Sequence, residues 1–126
     1  MWDSVLGHEQ NKEFLKNFLE AQARPHALLF CGAEGLGKKK LALEFAKSFL
    51  CLKGKGNDGC EACRLLNFAD GNVSHPDFIF VERLPEKSGL LIDQMRELIK
   101  QAAYAPVLSK NKLCIIDAAD TMNEAA

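Results

Sequence analysis

The stretch CGAEGLGKKK, Cys31 to Lys40, decides the fold of this 126-residue chain. It matches the nucleotide-binding pattern G-x-x-x-x-G-K-[ST], except that Lys39 stands where the pattern has a hydroxyl side chain. In such a loop, backbone N–H groups and the start of the next helix point at phosphate oxygens. The competing interpretation is a glycine-rich turn without a ligand. The candidate phosphate-binding residues are Gly32, Gly35, Gly37, Lys38 and Lys39.

The segments on either side of this loop have the periodicity that the pattern requires. The apolar run HALLFC, His26 to Cys31, predicts a central parallel strand covered on both faces. Apolar residues at helical spacing predict a helix from about Lys39 to Leu52, and an earlier helix over Glu9 to Gln22. Strand, glycine-rich turn and helix therefore follow one another directly.

The second half of the chain repeats the alternation of strand and helix. DFIFVE, Asp77 to Glu82, predicts a strand, and apolar positions between Ile92 and Ala102 predict a helix. KLCIID predicts a buried strand that ends in Asp117, the position of the magnesium-side acid in such folds. Asp120 is expected to cap a further helix beginning at Thr121. The fold class is α/β, a P-loop NTPase fold with a parallel sheet flanked by helices.

Composition excludes several classes of protein. With 48% hydrophobic and 26% charged residues, the chain is expected to be one soluble domain with a real core, neither disordered nor membrane-spanning. A net charge of -1 gives no global attraction to nucleic acid. We expect a cytoplasmic protein, because the N-terminus lacks the layout of a signal peptide. Of the five cysteines, Cys31 and Cys114 lie in apolar strands and are expected in the core.

Two catalytic oxygens are missing from the predicted site. The Ser or Thr that follows the lysine in this pattern coordinates Mg²⁺, and Lys39 brings an ammonium group there instead. ATP-hydrolysing proteins of this layout have a Glu after the strand-end acid, whereas Ala118 follows Asp117 here. We therefore predict no catalytic residues and no fast hydrolysis, and binding of ATP or phosphate stays an open question.

The order and spacing of several motifs carry a family resemblance. WDSVLGHEQ, HALLFCGAEGLGKKKLALEFAKSFLC, HPDF, LIDQMREL and KLCIIDAADTMNEAA resemble the N-terminal AAA+ domain of the delta-prime family of bacterial DNA polymerase III clamp loader subunits. The resemblance covers essentially residues 1–126. Gamma/tau subunits have a Thr after the P-loop lysine and an Asp-Glu pair after the later strand, so Lys39 and Ala118 favour delta-prime.

This resemblance implies a function in DNA replication. Delta-prime subunits are comparatively rigid members of a pentameric ring, with gamma/tau and delta, that places the sliding clamp on primed DNA, and ATP turnover occurs in gamma/tau. The resemblance implies a stator within the DNA-directed DNA polymerase III holoenzyme. It also places Val5 and Leu6 near the adenine pocket. The lid, the collar domain and the trans-acting arginine are expected beyond Ala126, so the sheet in this chain is expected to be incomplete at its C-terminal end.

The resemblance further implies a zinc module, an insertion over residues 51–75. The family has four cysteines, and this chain has Cys51, Cys60 and Cys63, with Asn57 at the remaining position. Structural zinc takes four ligands, so Asp58, His75 or a water would complete the shell. A loop without metal and with inert thiols is equally consistent, and a turn role is expected for His75. A C-x-x-C redox dithiol is disfavoured because no thioredoxin-like context surrounds it.

Three functions are compatible with these residues. The first is a non-hydrolysing ring subunit that works through protein interfaces. The second is an ATPase, gamma/tau-like or of another P-loop class, that tolerates Lys39. The third, a small-molecule P-loop kinase, is disfavoured because no acceptor-binding segment is apparent.

Overall fold

A computed structural model describes residues 6–21, 26–33, 35–52, 59–68, 72–84 and 89–122. Across these residues, no helix has both the length and the apolar character needed to cross a bilayer. The elements are α1 (Glu9–Glu20), α2 (Lys38–Leu50), α3 (Glu61–Arg64), β1 (Leu66–Asn67), β2 (Asn72–Val73), β3 (Phe78–Val81), α4 (Ile92–Ala102), β4 (Leu113–Ile116) and a 3-10 turn (Ala119–Thr121).

A two-stranded parallel sheet forms the centre of the described structure. β3 pairs with β4 in a register that sets Phe78 beside Leu113 and Val81 beside Ile116. Because side chains alternate along a strand, Phe78 and Phe80 face one side, and Ile79 and Val81 face the other. Both strands end at the same edge, where Glu82 and Asp117 follow them.

Each face of the sheet is covered by helices. On one side, Leu15 of α1 and Leu41 and Phe45 of α2 form a buried cluster against which Leu113 packs. On the other side, Val81, Leu90 and Met95 form a second cluster that brings α4 onto β3. The sequence prediction of helices flanking a parallel sheet is therefore confirmed for β3, β4, α2 and α4.

A polar contact fixes the start of α4 beside the end of β3. The Gln94 side-chain oxygen accepts a hydrogen bond from the Leu91 N–H at 2.9 Å, and its nitrogen donates to the Glu82 carbonyl at 2.7 Å. Gly89 is required nearby because a Cβ there would collide with the Thr121 carbonyl oxygen. These contacts hold the chain segment that follows β4 against the start of α4.

Within residues 51–75, the described parts contribute no strand to the β3–β4 sheet. Among the described part of this segment, α3 leads into a short antiparallel hairpin in which Leu66 pairs with Val73. Ala62 and Leu66 are fully buried. The described part of this segment therefore has a small apolar core of its own.

The predicted strand over His26 to Cys31 is wrong. None of its residues forms a strand, although Leu28 and Phe30 pack on the α1–α2 cluster while Leu29 is 79% exposed. A strand requires a hydrogen-bonded neighbour, and the described residues place none beside this run. An apolar run therefore shows that side chains are buried but does not show that a ladder forms.

Smaller differences concern element ends and two side chains. α1 ends at Glu20 and α2 spans Lys38–Leu50, each within two residues of the predicted bounds. Cys31 is exposed, which contradicts its predicted place in the core, because its segment is not covered on both faces. Cys114 lies in β4 and is half-buried, and this burial raises the pKa of its thiol.

Candidate functional site

The loop before α2 has a backbone that glycine makes accessible. Gly35 and Gly37 have φ values of 82° and 85°, in the left-handed region that side chains disfavour. Gly37 precedes the first residue of α2, and its carbonyl accepts the Leu41 N–H at 2.9 Å. A Cβ on Gly32 would approach the Leu36 side chain to 3.1 Å. The glycines of the pattern therefore stand where the turn needs them.

Lys38 is folded back over this loop. Its Nζ donates a hydrogen bond to the Gly32 carbonyl at 2.5 Å, which brings the ammonium above the turn. An anion in the loop would meet this ammonium and the N–H groups of the first turn of α2. The arrangement is electrostatically suited to phosphate.

Lys39 reaches the edge of the sheet and lies between two carboxylates. Its Nζ is 3.5 Å from Glu82 Oε2 and 4.0 Å from Asp117 Oδ2. It also lies 5.1 Å from the centre of the Phe80 ring, a cation–π distance. The ammonium therefore pairs with the carboxylates that follow both β3 and β4, and offsets one of their two negative charges.

The segment after β4 differs from its sequence prediction. Asp117 directly follows the strand, and its N–H donates to the Val81 carbonyl at 2.8 Å. Ala118 has a φ of 55°, and the 3-10 turn starts after it. Asp120 lies inside that turn, so its predicted role as the cap of a helix at Thr121 is wrong. The left-handed conformation of Ala118 turns the chain directly after Asp117, and the 3-10 turn begins at Ala119, two residues before the predicted helix start.

A cavity of about 310 Å³ adjoins the loop, between α1 and the segment that leads into the loop. The His8 Nε2 donates to the Leu36 carbonyl and so ties the start of α1 to the loop. Leu6, predicted as an adenine contact, is 88% exposed and does not line this cavity. Val5 lies outside the described residues. Among the lining residues that the sequence reasoning missed are His8, Asn11, Phe14 and Leu28.

Three thiols form a cluster able to hold a metal ion. The ligand atoms of Cys51, Cys60 and Cys63 all lie within 4.8 Å of one another, and the sulfurs of Cys51 and Cys60 are 3.9 Å apart. Two thiolates bound at tetrahedral angles to one zinc ion would be about 3.8 Å apart. The donor set therefore fits three positions of a zinc shell. Asp58, a predicted fourth ligand, lies outside the described residues.

His75, another predicted fourth ligand, is fully used in hydrogen bonds. Its Nδ1 accepts the Asp77 N–H at 3.0 Å, and its Nε2 lies 3.0 Å from the Ser109 hydroxyl. Ser109 donates its only hydroxyl proton to the Leu50 carbonyl at 2.6 Å, so the hydrogen on the bond to His75 comes from the ring. His75 is therefore the neutral Nε2–H tautomer, with a turn role and no free nitrogen for a metal.

Asp77 completes this buried network. Its carboxylate is fully buried and accepts three backbone N–H groups, from Val107 at 2.6 Å, Leu108 at 2.8 Å and Ser109 at 2.6 Å. Burial alone would raise the pKa of Asp77, but these three donors outweigh it and hold that pKa below its ordinary value. Burial also lowers the pKa of His75, against the opposing charge of Asp77.

Sequence reasoning missed three residues that the structure makes central. The apolar pattern predicts Glu82 only as the end of a strand, although parallel strands place their carboxyl ends at one edge, and this rule could have paired it with Asp117. The same pattern predicts Asp77 only as the start of a strand. Ser109 lies 34 residues from His75, and no sequence signal connects the two.

Comparison with known proteins assigns this chain to a family of DNA polymerase III subunits. A family model described as "DNA polymerase III, delta subunit" matches residues 7–126. The DNA polymerase III subunit delta' of Bacillus subtilis is 38% identical over 111 residues, which cover 87% of this chain and 32% of that protein. The delta' subunit of Pseudomonas aeruginosa is 34% identical over 78% of this chain and 30% of its own length.

The chain is also similar to a second kind of subunit. The DNA polymerase III subunit tau/gamma of Haemophilus influenzae is 30% identical over 90% of this chain and 16% of its own length. The chain thus spans about a third or less of the curated relatives it matches.

Proposed function

Because the chain belongs to the DNA polymerase III delta subunit family, we propose that it is part of the clamp loader complex and acts there as a delta-prime-like stator that does not hydrolyse ATP. Its partners would be gamma/tau and delta in a pentameric ring, with the sliding clamp and primed DNA bound through the complex. The same proposal places the protein in the cytoplasm, where replication proceeds.

The proposal assigns residues 1–126 to the N-terminal part of an AAA+ domain, with residues 51–75 as its insertion. The family match supports this assignment, as do a parallel strand pair and a glycine-rich turn before α2. The lid and the collar domain would lie in the remainder of the protein.

One observation supports the proposal that this protein does not hydrolyse ATP. The Lys39 ammonium lies within 4.0 Å of the Asp117 carboxylate, next to the loop where a phosphate-bound Mg²⁺ would be needed. An ammonium has three donors and no lone pair, so it cannot be a metal ligand. Ala118 adds a second deficit, since its methyl group cannot orient a water. Phosphoryl transfer needs both functions.

The experiment is an assay of phosphate release by the purified protein with ATP and Mg²⁺. We expect the rate to equal that of a Lys38→Ala variant, which lacks the ammonium above the loop and sets the background. Mg²⁺-dependent release clearly above this background would overturn the stator proposal and favour the second function, an ATPase of the gamma/tau kind. That alternative has one observation in its favour, the similarity to tau/gamma over most of this chain.

For the cysteine cluster, we propose a zinc ion held by Cys51, Cys60 and Cys63 with a water or Asp58 as the fourth ligand. The support is the spacing of the three sulfurs. Bound zinc would hold the start of α3 against the end of α2, and would thereby stabilise the insertion.

Metal analysis of reduced protein tests this proposal. We expect about one zinc per chain in the wild type and less than about a tenth of an equivalent in Cys60→Ser, since two thiols do not complete a structural shell. A matched control is Cys114→Ser, whose thiol lies in β4. Wild-type protein without zinc would mean that the cluster is a set of inert thiols.

A further inference from the structure

The carboxyl ends of β3 and β4 bring two acidic side chains to the neighbourhood of a loop suited to anions. Glu82 and Asp117 follow strands in a register that ends with Val81 beside Ile116, so both carboxylates lie at one edge. An anion approaching this edge is repelled unless a cation lies between it and the carboxylates. The molecule therefore needs a cation here for the loop to hold a phosphate.

The structure already has a cation at this position. Lys39 Nζ is 3.5 Å from Glu82 and 4.0 Å from Asp117. The Phe80 ring, 5.1 Å away, supplies a third favourable contact. The side chain is fixed at its base in the first turn of α2, so the ammonium is covalently tied to the loop that precedes this helix.

A divalent ion does not fit beside this ammonium. Lys39 offers no lone pair, and its charge repels Mg²⁺ from the two oxygen donors that a metal would use. The fold family implies such a metal, and the residues present are incompatible with it. Replacement of Lys39 by a hydroxyl residue would remove the obstacle and leave both carboxylates in place.

We propose that Lys39 is a tethered counter-ion that determines the metal requirement of this site: it takes the place of a divalent cation between Glu82 and Asp117, and the loop binds a phosphate or polyphosphate without metal. This inference rests on the candidate phosphate-binding loop before α2 for its ligand, but not for the counter-ion itself. Lys39 is a specificity residue and has no catalytic role.

The counter-ion is tested without any phosphate ligand, by titration of the protein with Mn²⁺ and detection of bound metal by electron paramagnetic resonance. We expect Lys39→Thr to bind Mn²⁺ at least about tenfold more tightly than the wild type, because a positive charge a few ångströms from the ion is gone. The gain should vanish in Lys39→Thr combined with Glu82→Gln. Lys40→Thr, which removes an equal charge from an exposed neighbour, should behave as the wild type.

Two results would overturn the proposal that Lys39 is a counter-ion. One is a wild type that binds Mn²⁺ as tightly as Lys39→Thr, and the other is a Lys40→Thr variant with the same gain, which would reveal only a general effect of charge. Circular dichroism of each variant checks that the fold is retained, as expected for a half-exposed side chain.

The ligand is tested separately with a fluorescent ATP analogue in Mg²⁺ and in EDTA. The wild-type dissociation constant should change by less than about twofold, whereas Lys39→Thr should lose about tenfold or more when the metal is removed. Wild-type binding that needs Mg²⁺ overturns the inference. Absence of binding in both media overturns the phosphate-binding loop, while the Mn²⁺ titration still decides the role of Lys39.

Discussion

Asp77 and Asp117 are the same kind of side chain at opposite ends of the same strand pair, and their surroundings differ completely. Asp77 precedes β3, is fully buried and is satisfied by three backbone N–H groups. Asp117 follows β4, is partly exposed and has the Lys39 ammonium 4.0 Å away. One end of the sheet uses a carboxylate to hold the backbone, and the other places one where ligands can reach it.

This difference indicates that the two ends of the sheet have different roles, one in stability and the other in function. Around Asp77, the donors belong to the loop between α4 and β4, so that removal of the charge would leave buried N–H groups without partners. Around Asp117, the partner is the half-exposed Lys39 ammonium, whose loss leaves no buried group without a partner. Substitutions at the first end should therefore change stability, and substitutions at the second should change binding.

The largest expected effect comes from Asp77→Asn. The amide retains the shape but turns an NH₂ group toward N–H donors in a buried site, and we expect a loss of about 3 kcal/mol in the free energy of unfolding. Urea denaturation of the protein measures it. Asp120→Asn, on an exposed side chain, should stay within about 0.5 kcal/mol of the wild type. Equal losses in the two variants would mean that the buried hydrogen bonds of Asp77 add nothing to stability.

The next effect is at His75 and depends on pH. His75→Ala should cost about 2 kcal/mol at neutral pH, because two buried hydrogen bonds are lost. Since burial lowers the pKa of His75 below its ordinary 6.5, the unfolded chain takes up a proton first during acidification. The contribution of His75 is therefore complete above pH 6.5 and is lost as pH falls from there to the pKa of the folded state.

Denaturation of wild type and His75→Ala at several pH values between neutral and acidic measures the difference between their free energies of unfolding. We expect this difference to narrow steadily below pH 6.5. A difference in free energy that stays constant or widens on acidification would mean that the folded protein does not hold the His75 ring neutral.

A smaller effect is expected in the loop before α2. Gly37 has a φ of 85°, and a Cβ there would meet no atom within 4 Å, so Gly37→Ala tests backbone strain without a clash. We expect a loss of about 1 kcal/mol, the usual cost of a side chain in the left-handed region. Thermal denaturation against Ala42→Gly, a change in the interior of α2, separates strain at φ from general loss of helix stability. No loss in Gly37→Ala would show that the loop relaxes to another conformation.

The smallest effect on stability should come from Lys39→Met. Its ion pairs are half-exposed, and such pairs contribute about 0.5 kcal/mol or less. We expect this variant to unfold at the same urea concentration as the wild type and to differ from it in metal binding. A loss as large as that of Asp77→Asn would show that Lys39 is part of the structural framework.

Some parts of this molecule were predictable from local pattern. Helical spacing gave α1, α2 and α4 within two residues at their described ends, and the apolar runs before Glu82 and Asp117 gave β3 and β4. The run His26 to Cys31 was mispredicted because a strand depends on a neighbour that the run itself does not contain. The adenine contacts at Val5 and Leu6 stay a prediction, and Leu6 is 88% exposed.

The order of residues alone determined the glycine-rich loop, the unusual lysine after it, the acid after β4 and the missing cysteine at Asn57, since each is a matter of which side chain stands at which position. Only the tertiary structure decided that Lys39 lies between Glu82 and Asp117, and that His75 bonds to Ser109 rather than to a metal. These contacts join residues 34 to 78 positions apart, and what brings them together is the strand register and the packing of helices on both faces. Distances of that kind arise from the whole fold, and no local pattern of residues encodes them.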